Sequence, residues 1–223
     1  MDFVKVGSLF DLTSIDAGLM EHIDTIGTQA SETVDDLIEA ELDGGGTTVI
    51  SNGAALSAVA TSDTLDGQDV RTQFRKLRVA KAMRYENGFY KSVIPVSTAL
   101  DLRGDSEWLD ASRYTDTTLI QNGLIGRLHG VEFSETNNET INADAGAGNV
   151  DVYTTYIFGK NAYGMVDIAG TSTPKVYIEQ TGGNADPLHM FSTIGWKVTF
   201  VAKVLNSAWL IEFKSAASAG DNA

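Results

Sequence analysis

The sequence predicts an α+β fold with one long helix, a mixed central sheet flanked by helices, and a long antiparallel hairpin near the C-terminus. Three observations carry that prediction. Apolar residues step by three and four along 13–43, residues Asp151 to Phe158 are apolar on both faces, and residues 196–213 alternate between apolar and polar. With 223 residues, 43% of them hydrophobic and 21% charged, the chain can bury a sizeable core as one or two soluble domains.

The helix comes first. Ile15, Leu19, Ile23, Ile26, Ala30, Val34, Leu37 and Leu42 fall mostly three or four apart, which lines them on one stripe. Thr13 or Ser14 caps the start by accepting a backbone N–H, and Asp16 suits the positive end of the dipole. Gly44-Gly45-Gly46 stops the helix, because glycine enters the left-handed closing turn without steric penalty. The other face carries Glu21, Asp24, Glu32, Asp35, Asp36 and Glu39. We read it as a solvated or partner-facing surface in preference to a catalytic carboxylate pair.

A polar linker from Thr47 to Asp63 leads to a second helix, capped by Thr64 and running to about Lys81. Its apolar residues are Leu65, Val70, Phe74, Leu77 and Ala80, and beside them lies a basic stripe of Arg71, Arg75, Arg78 and Lys81. That stripe concentrates much of the scarce positive charge. The plain reading is a flank paired with the abundant acids; the functional one is an electrostatic contact with a neighbouring subunit, through acids such as Asp35, Asp36 and Glu39.

The strand Phe89 to Ile94 follows, ended by Pro95, which has no N–H for a ladder. Ser97 opens a short helix, Thr98 to Arg103, and Ser106 caps another that carries Trp108 and Leu109. Residues 124–130 turn into the strand Val131 to Thr136, and the glycine- and alanine-rich stretch 137–149 reads as an exposed loop. The strand Asp151 to Phe158 suits a sheet covered on both sides. In the hairpin, Trp196, Val198, Phe200, Ala202 and Val204 share one face, with Lys197, Thr199 and Lys203 opposite. After a turn at Asn206-Ser207, Trp209, Ile211 and Phe213 face inward, with Glu212 and Lys214 outside. Residues 216–223 read as a frayed tail.

Composition excludes several classes of function. There is no cysteine, which removes thiol chemistry and disulfide scaffolds. No apolar run approaches the roughly 20 residues that span a bilayer, and the N-terminus lacks a basic segment followed by an apolar core. Asn138-Glu139-Thr140 fits a glycosylation pattern, read as coincidence without a secretory route. The formal net charge of −14, from 30 acidic and 16 basic side chains, repels phosphate backbones and anionic membranes.

The usual catalytic constellations are also missing from the sequence. His22, His129 and His189 show no metal-ligand spacing with one another. Gly159-Lys160-Asn161 lacks the rest of a phosphate loop, and Gly146-Ala147-Gly148 precedes a strand where a dinucleotide site needs a helix. No Gly-x-Ser-x-Gly elbow occurs, and Asp186-Pro187 reads as a turn initiator.

Several ordered blocks nevertheless carry a resemblance. Phe89-Tyr90-Lys91-Ser92-Val93-Ile94-Pro95, followed by Ala99-Leu100-Asp101-Leu102 and Trp108, resembles the strand–helix block of tailed-bacteriophage major capsid proteins, in the branch typified by the coat protein of the phage called N-four. Residues 123–133, from Gly123 to Phe133, resemble that branch's glycine-spaced turn into a strand. Asp186-Pro187-Leu188, Gly195-Trp196-Lys197 and Val204-Leu205-Asn206 resemble its closing segment, and Gln29-Ala30 with Thr33-Val34-Asp35 resembles the stretch before its central region.

The resemblance implies the Hong-Kong-97-type capsid fold. Residues 1–50 would be the first part of the peripheral domain, with 13–43 as its spine helix; 51–174 the axial domain; 175–215 the returning peripheral strands; and 216–223 a flexible tail. It also implies self-association into pentamers and hexamers that close an icosahedral shell around double-stranded DNA. Neither cofactor nor catalysis comes with it. Scaffolding, portal or decoration proteins are the further partners, packaged DNA is a non-specific neighbour, no membrane is involved, and the place is the virion, assembled in the host bacterial cytoplasm. The family usually carries an N-terminal arm and an extended loop before the spine helix. Here the helix follows Met1 closely, so the expectation is a shortened chain or contacts supplied by another chain. The alternatives are an acidic virion-associated decoration or binding protein and, in another class, a hydrolase with a dispersed site.

Overall fold

The structure is a computed structural model and describes residues 2–7, 18–53, 55–113, 126–138, 140–167, 173–180, 188 and 190–219. Expectations placed on Thr13 to Asp16, the side chain of Leu19, Gly123 to Ile125, Glu139, Asp186-Pro187, His189 and the last four residues lie outside those described.

In chain order, β1 (Asp2–Gly7) precedes α1 (Gly18–Leu42), β2 (Thr47–Ile50) and α2 (Gly67–Val79). Then come β3 (Tyr90–Pro95), α3 (Val96–Gly104), α4 (Ser106–Arg113), β4 (Arg127–Leu128), β5 (Val131–Thr136) and β6 (Ile141–Asn142). The remainder is β7 (Val152–Phe158), β8 (Tyr163–Asp167), β9 (Lys175–Gln180), β10 (Phe191–Lys197), β11 (Phe200–Val204) and β12 (Leu210–Ser215). The chain divides into two compact units, residues 1–40 with 165–202 and residues 41–164 with 203–223.

In the first unit β10 pairs antiparallel with β1 on one side and β9 on the other. Ile194 and Trp196 of β10 and Val6 of β1 pack against Ile23, Ile26 and Ala30 of α1, so the helical stripe meets one face of this sheet. Leu37 departs from the stripe and is exposed.

The second unit holds the main sheet, ordered β2-β12-β7-β3-β5-β4, with β6 added beside β7. It is mixed: β12 runs parallel to β2 and antiparallel to β7, and β3 runs parallel to β5 and antiparallel to β7. Every residue of β7 is buried, as its two-sided apolar pattern predicts. One face of the sheet, with Tyr90, Ile94, Ile157, Ile211 and Phe213, packs on Val70 and Leu77 of α2 and Ala99 and Leu102 of α3. The glycine-spaced turn forms as expected, with His129 and Gly130 at φ 47° and 84°. Gly130 is required twice over, since a Cβ there would also lie 2.5 Å from the Phe74 ring.

Several local expectations are corrected. Residues 47–63 are more than a linker: β2 joins the main sheet, and Val59 is buried against Val150, Val152 and Ala216. The cap of α2 is Asp66, whose Oδ1 accepts the Asp69 N–H at 2.7 Å; Thr64 instead bridges to Ala216. Both are capping residue types two positions apart, so the sequence alone does not separate them. α3 begins at Val96, directly after Pro95, and Ser106 is the first residue of α4 with the Asp105 carbonyl accepting the Leu109 N–H. Part of the stretch 137–149 is ordered by pairing, since β6 joins β7 and the Ala147 N–H donates to the Val59 carbonyl.

The long C-terminal hairpin does not form. The expected first strand splits into β10 and β11, β11 pairs with β8, and β12 inserts between β2 and β7. Alternation identifies strands but not their partners. Glu212 is fully buried and not outside, accepting from the Gly46 N–H at 2.6 Å and the Thr48 hydroxyl at 3.3 Å. Lys214 is largely covered and pairs with Asp43 at 3.5 Å. Ala216 and Ala217 are buried, and Ser218 bonds Asp101 of α3 through its N–H and its hydroxyl, so the tail is anchored at least that far.

Candidate interaction surfaces

The helix α2 is amphipathic. Val70, Gln73 and Leu77 are buried, while Arg71, Arg75, Lys76 and Arg78 are exposed on the other side. Arg71 is the member of the basic stripe that finds an acid: its Nη2 lies 2.9 Å from Glu107 Oε1 on α4. The other Glu107 oxygen lies 2.8 Å from His129 Nε2. The Gly67 N–H donates to Asp105 at 2.9 Å, which ties the start of α2 to the start of α4.

Arg75, Arg78 and Lys81 pair with no acid among the described residues. Among the described residues, the pairing with acids that the plain reading expects is seen at Arg71. Lys81 closes α2 in the left-handed region at φ 56°, with the Ala82 N–H reaching back to the Leu77 carbonyl at 3.0 Å. That position usually takes glycine, so a lysine there holds a cation at some conformational cost. Next to these cations in the sequence, Val79 is 72% exposed and Met83 54% exposed, so the end of α2 carries exposed apolar side chains as well as positive charge.

In the other unit, Asp35 and Asp36 are exposed on α1 and Glu39 is half-buried. Asp36 and Glu39 already interact within the chain. At the end of α1, Glu41 accepts from Lys203 at 2.8 Å and from the Val204 N–H, and these bonds hold its carboxyl below the usual range.

Carboxylates elsewhere are held structurally. Glu132 receives Lys91 at 2.9 Å and Arg127 at 2.8 Å, which lowers its pKa and keeps it ionised. Asp69 is different: burial, then the charge of Asp66, pushes it up to about 6. No group of three or more His, Asp or Glu side chains suited to a metal occurs among the described residues. Among the described residues no helix is long and apolar enough to cross a membrane.

Sequence reasoning missed Glu107, His129 and Glu212 as organising residues. For Glu212 a signal existed: Leu210, Ile211 and Phe213 flank it on both faces, which marks a strand covered on both sides. For Glu107 there was none, because its partners come from 36 residues before and 22 after.

No protein-family profile and no curated protein matches the sequence. Solved structures do. The cyanophage Pam1 capsid asymmetric unit matches with a TM-score of 0.74 at 16% identity, over 98% of this chain and 74% of that one. The capsid of Ralstonia phage GP4 matches at 0.74 and 13% identity, over 97% and 73% of the two chains. The acidic stable capsid of Helicobacter pylori bacteriophage KHP30 matches at 0.70 and 13% identity, over 96% and 74%. At such identities the likeness is one of fold, and the fold is the Hong-Kong-97-type capsid fold.

Proposed function

We propose that this chain is the major capsid protein of a tailed double-stranded-DNA bacteriophage, assembling through copies of itself into the pentamers and hexamers of an icosahedral shell. The observation that carries this reading is fold agreement with phage capsids across at least 96% of the chain. A likeness that continuous includes both compact units, not one shared module. The role is structural and not catalytic, and its place is the virion, after assembly in the host cytoplasm. Scaffolding, portal or decoration proteins are the further partners, and packaged DNA is a non-specific neighbour.

The unit built on α1 and the β1–β10–β9 sheet acts as the peripheral domain; the unit built on the main sheet acts as the axial domain around capsomer axes. Support comes from the resemblance of the α1 segment to the region before the family's centre and from the contact division, which departs from the expected bounds by keeping 41–50 and 203–223, with β12, in the main-sheet unit and 165–174 in the other. Rings need heterologous contacts whose rotation closes, and each contact can be modest because a subunit is held by several neighbours. Arg75, Arg78 and Lys81 of one copy, with Arg71 at the rim, face Asp35, Asp36 and Glu39 of the next in this reading. Long-range attraction between them sets register and makes assembly salt-dependent. The net charge of −14 suits a container from which DNA must leave, because a strongly cationic lining would retain it.

Electron microscopy of the purified full chain tests this. Shells, rings or sheets of repeating capsomers are expected. Monomers that never associate, at any salt or concentration tried, would contradict it; if those monomers decorate preformed phage heads, the chain is a decoration protein.

A further inference from the structure

The three-stranded sheet of the first unit has an edge, β9, that no described residue of its own chain pairs. In β9 the side chains of Lys175, Val176, Tyr177, Ile178 and Glu179 are all exposed, so this strand is uncovered on both faces. Val176 and Ile178 point to the side where α1 packs, yet are 38% and 51% exposed; Tyr177 on the opposite face is 52% exposed. Among the described residues β9 pairs only with β10, leaving its other edge open. An open edge of high β-propensity invites another strand, and proteins normally blunt it with inward charges, a bulge or a cover. Here charge sits only at the two ends of the five exposed residues, and Pro174, lacking an N–H, marks where pairing must stop.

The order of those residues selects the occupant. Two copies related by a two-fold axis perpendicular to the sheet pair antiparallel, and facing residues must then lie on the same side of the sheet. A register centred on Tyr177 meets that condition. It sets Tyr177 against Tyr177, Val176 against Ile178 twice, and Lys175 against Glu179 twice. A shift of two residues either way separates the charges, placing Lys175 opposite Tyr177 or Glu179 opposite Tyr177. β1, the other edge, has no such property: in every register that preserves the faces, Asp2 and Lys5 fail to meet.

A second observation points the same way. Within the chain Lys175 lies directly opposite Lys197 on β10, a like-charge pair that costs stability, and neither Lys175 nor Glu179 has an ion-pair partner among the described residues. A Glu179 arriving from a second copy would sit on the free side of Lys175 and offset that repulsion.

We infer that β9 pairs antiparallel with β9 of a second copy, centred on Tyr177, so that the β1–β10–β9 sheets of two subunits become one continuous sheet. This deepens the shell reading by naming an isologous two-fold contact, the type that joins one ring to another.

The chain has no cysteine, so a single introduced thiol reports the contact cleanly. Tyr177→Cys, oxidised mildly in the full chain, should give a covalent dimer at least about tenfold faster than Thr61→Cys at an exposed turn of the other unit, because facing antiparallel positions suit a disulfide. Adding Lys175→Glu or Glu179→Lys to Tyr177→Cys places two like-charge pairs across the axis and should slow cross-linking about tenfold. Mixing those two variants restores both ion pairs, so mixed dimers should form at the parental rate. Equal cross-linking at 177 and 61, single reversals that behave like the parent, or a mixture as slow as its components would each overturn the pairing. Shells seen without the 177 cross-link leave the capsid reading standing and end this one; cross-linked dimers that never form shells do the reverse.

Discussion

β7 and β9 are both strands rich in apolar and β-branched residues, yet one is buried along its whole length and the other is exposed on both faces. β7 lies in the interior of the main sheet between β12 and β3, with side chains of both faces covered. Among the described residues, β9 ends a small sheet whose β10 and β1 carry the side chains packed on α1. The same strand chemistry thus serves two ends. Where both faces are covered, the strand builds the stability of the fold; in β9, exposed on both faces and unpaired on one edge among the described residues, the apolar area remains available for a neighbour.

The largest effect expected from breaking that contrast is in the core. Phe213→Ala removes a ring that is 1% exposed beside β7 and should cost about 3–5 kcal/mol in denaturant unfolding. Ile178→Ala in β9 should stay within about 0.5 kcal/mol for the free chain while weakening association. A comparable loss from both would show that β9 is also covered within the subunit.

Gly130→Ala comes next. It forces alanine into φ 84° and a Cβ into the Phe74 ring, and should cost about 2–4 kcal/mol by thermal or denaturant melts. An unchanged midpoint would mean that the β4–β5 turn does not press on α2 as described.

A smaller effect follows from Asp69, held at about 6 by burial and by Asp66. A raised carboxyl pKa makes the folded state bind its proton more tightly than the unfolded one. That contribution is complete below about pH 4 and is lost as pH rises through 6. Asp69→Asn should therefore be more stable than the parent at pH 7 by about 1 kcal/mol, a figure reduced for partial solvent exposure, with the gap closing by pH 4. A gap that widens on acidification would reverse the assignment.

The smallest expected change in folding belongs to the basic stripe. Arg75→Glu with Arg78→Glu should shift stability by less than about 0.5 kcal/mol, since neither residue has an internal partner among those described. Light scattering should nonetheless show weaker capsomer formation, less sensitive to salt. Equal loss of folding and assembly would move the stripe from the interface side of the comparison to the core side.

What could be read from residues alone follows the same division. The stripe of α1, through Ile23, Ile26 and Ala30, and the two-sided burial of β7 were legible because local period reports burial directly. The partners of β11 and β12 were not, since alternation is blind to which strand lies alongside, and Asn206-Ser207 reads as a hairpin turn whether or not its flanks pair. Alternation alone puts Glu212 outside, whereas its neighbours Leu210, Ile211 and Phe213 signal a strand covered on both faces; what the local pattern does not show is its partners, Gly46 and Thr48, 166 and 164 residues away. The basic stripe is visible as a pattern, while the pairing of Arg71, and the lack of an acid for Arg75, Arg78 and Lys81 among the described residues, depends on where α4 brings Glu107.

Amide hydrogen exchange on the full chain, before and after association, tests the contrast between covered and open sheets most directly. β7 and β12 amides should exchange slowly in both states, whereas β9 amides should exchange fast in the free chain and slow by an order of magnitude or more on association. If associated particles leave β9 as fast as the free chain, the open sheet is not the surface through which copies meet.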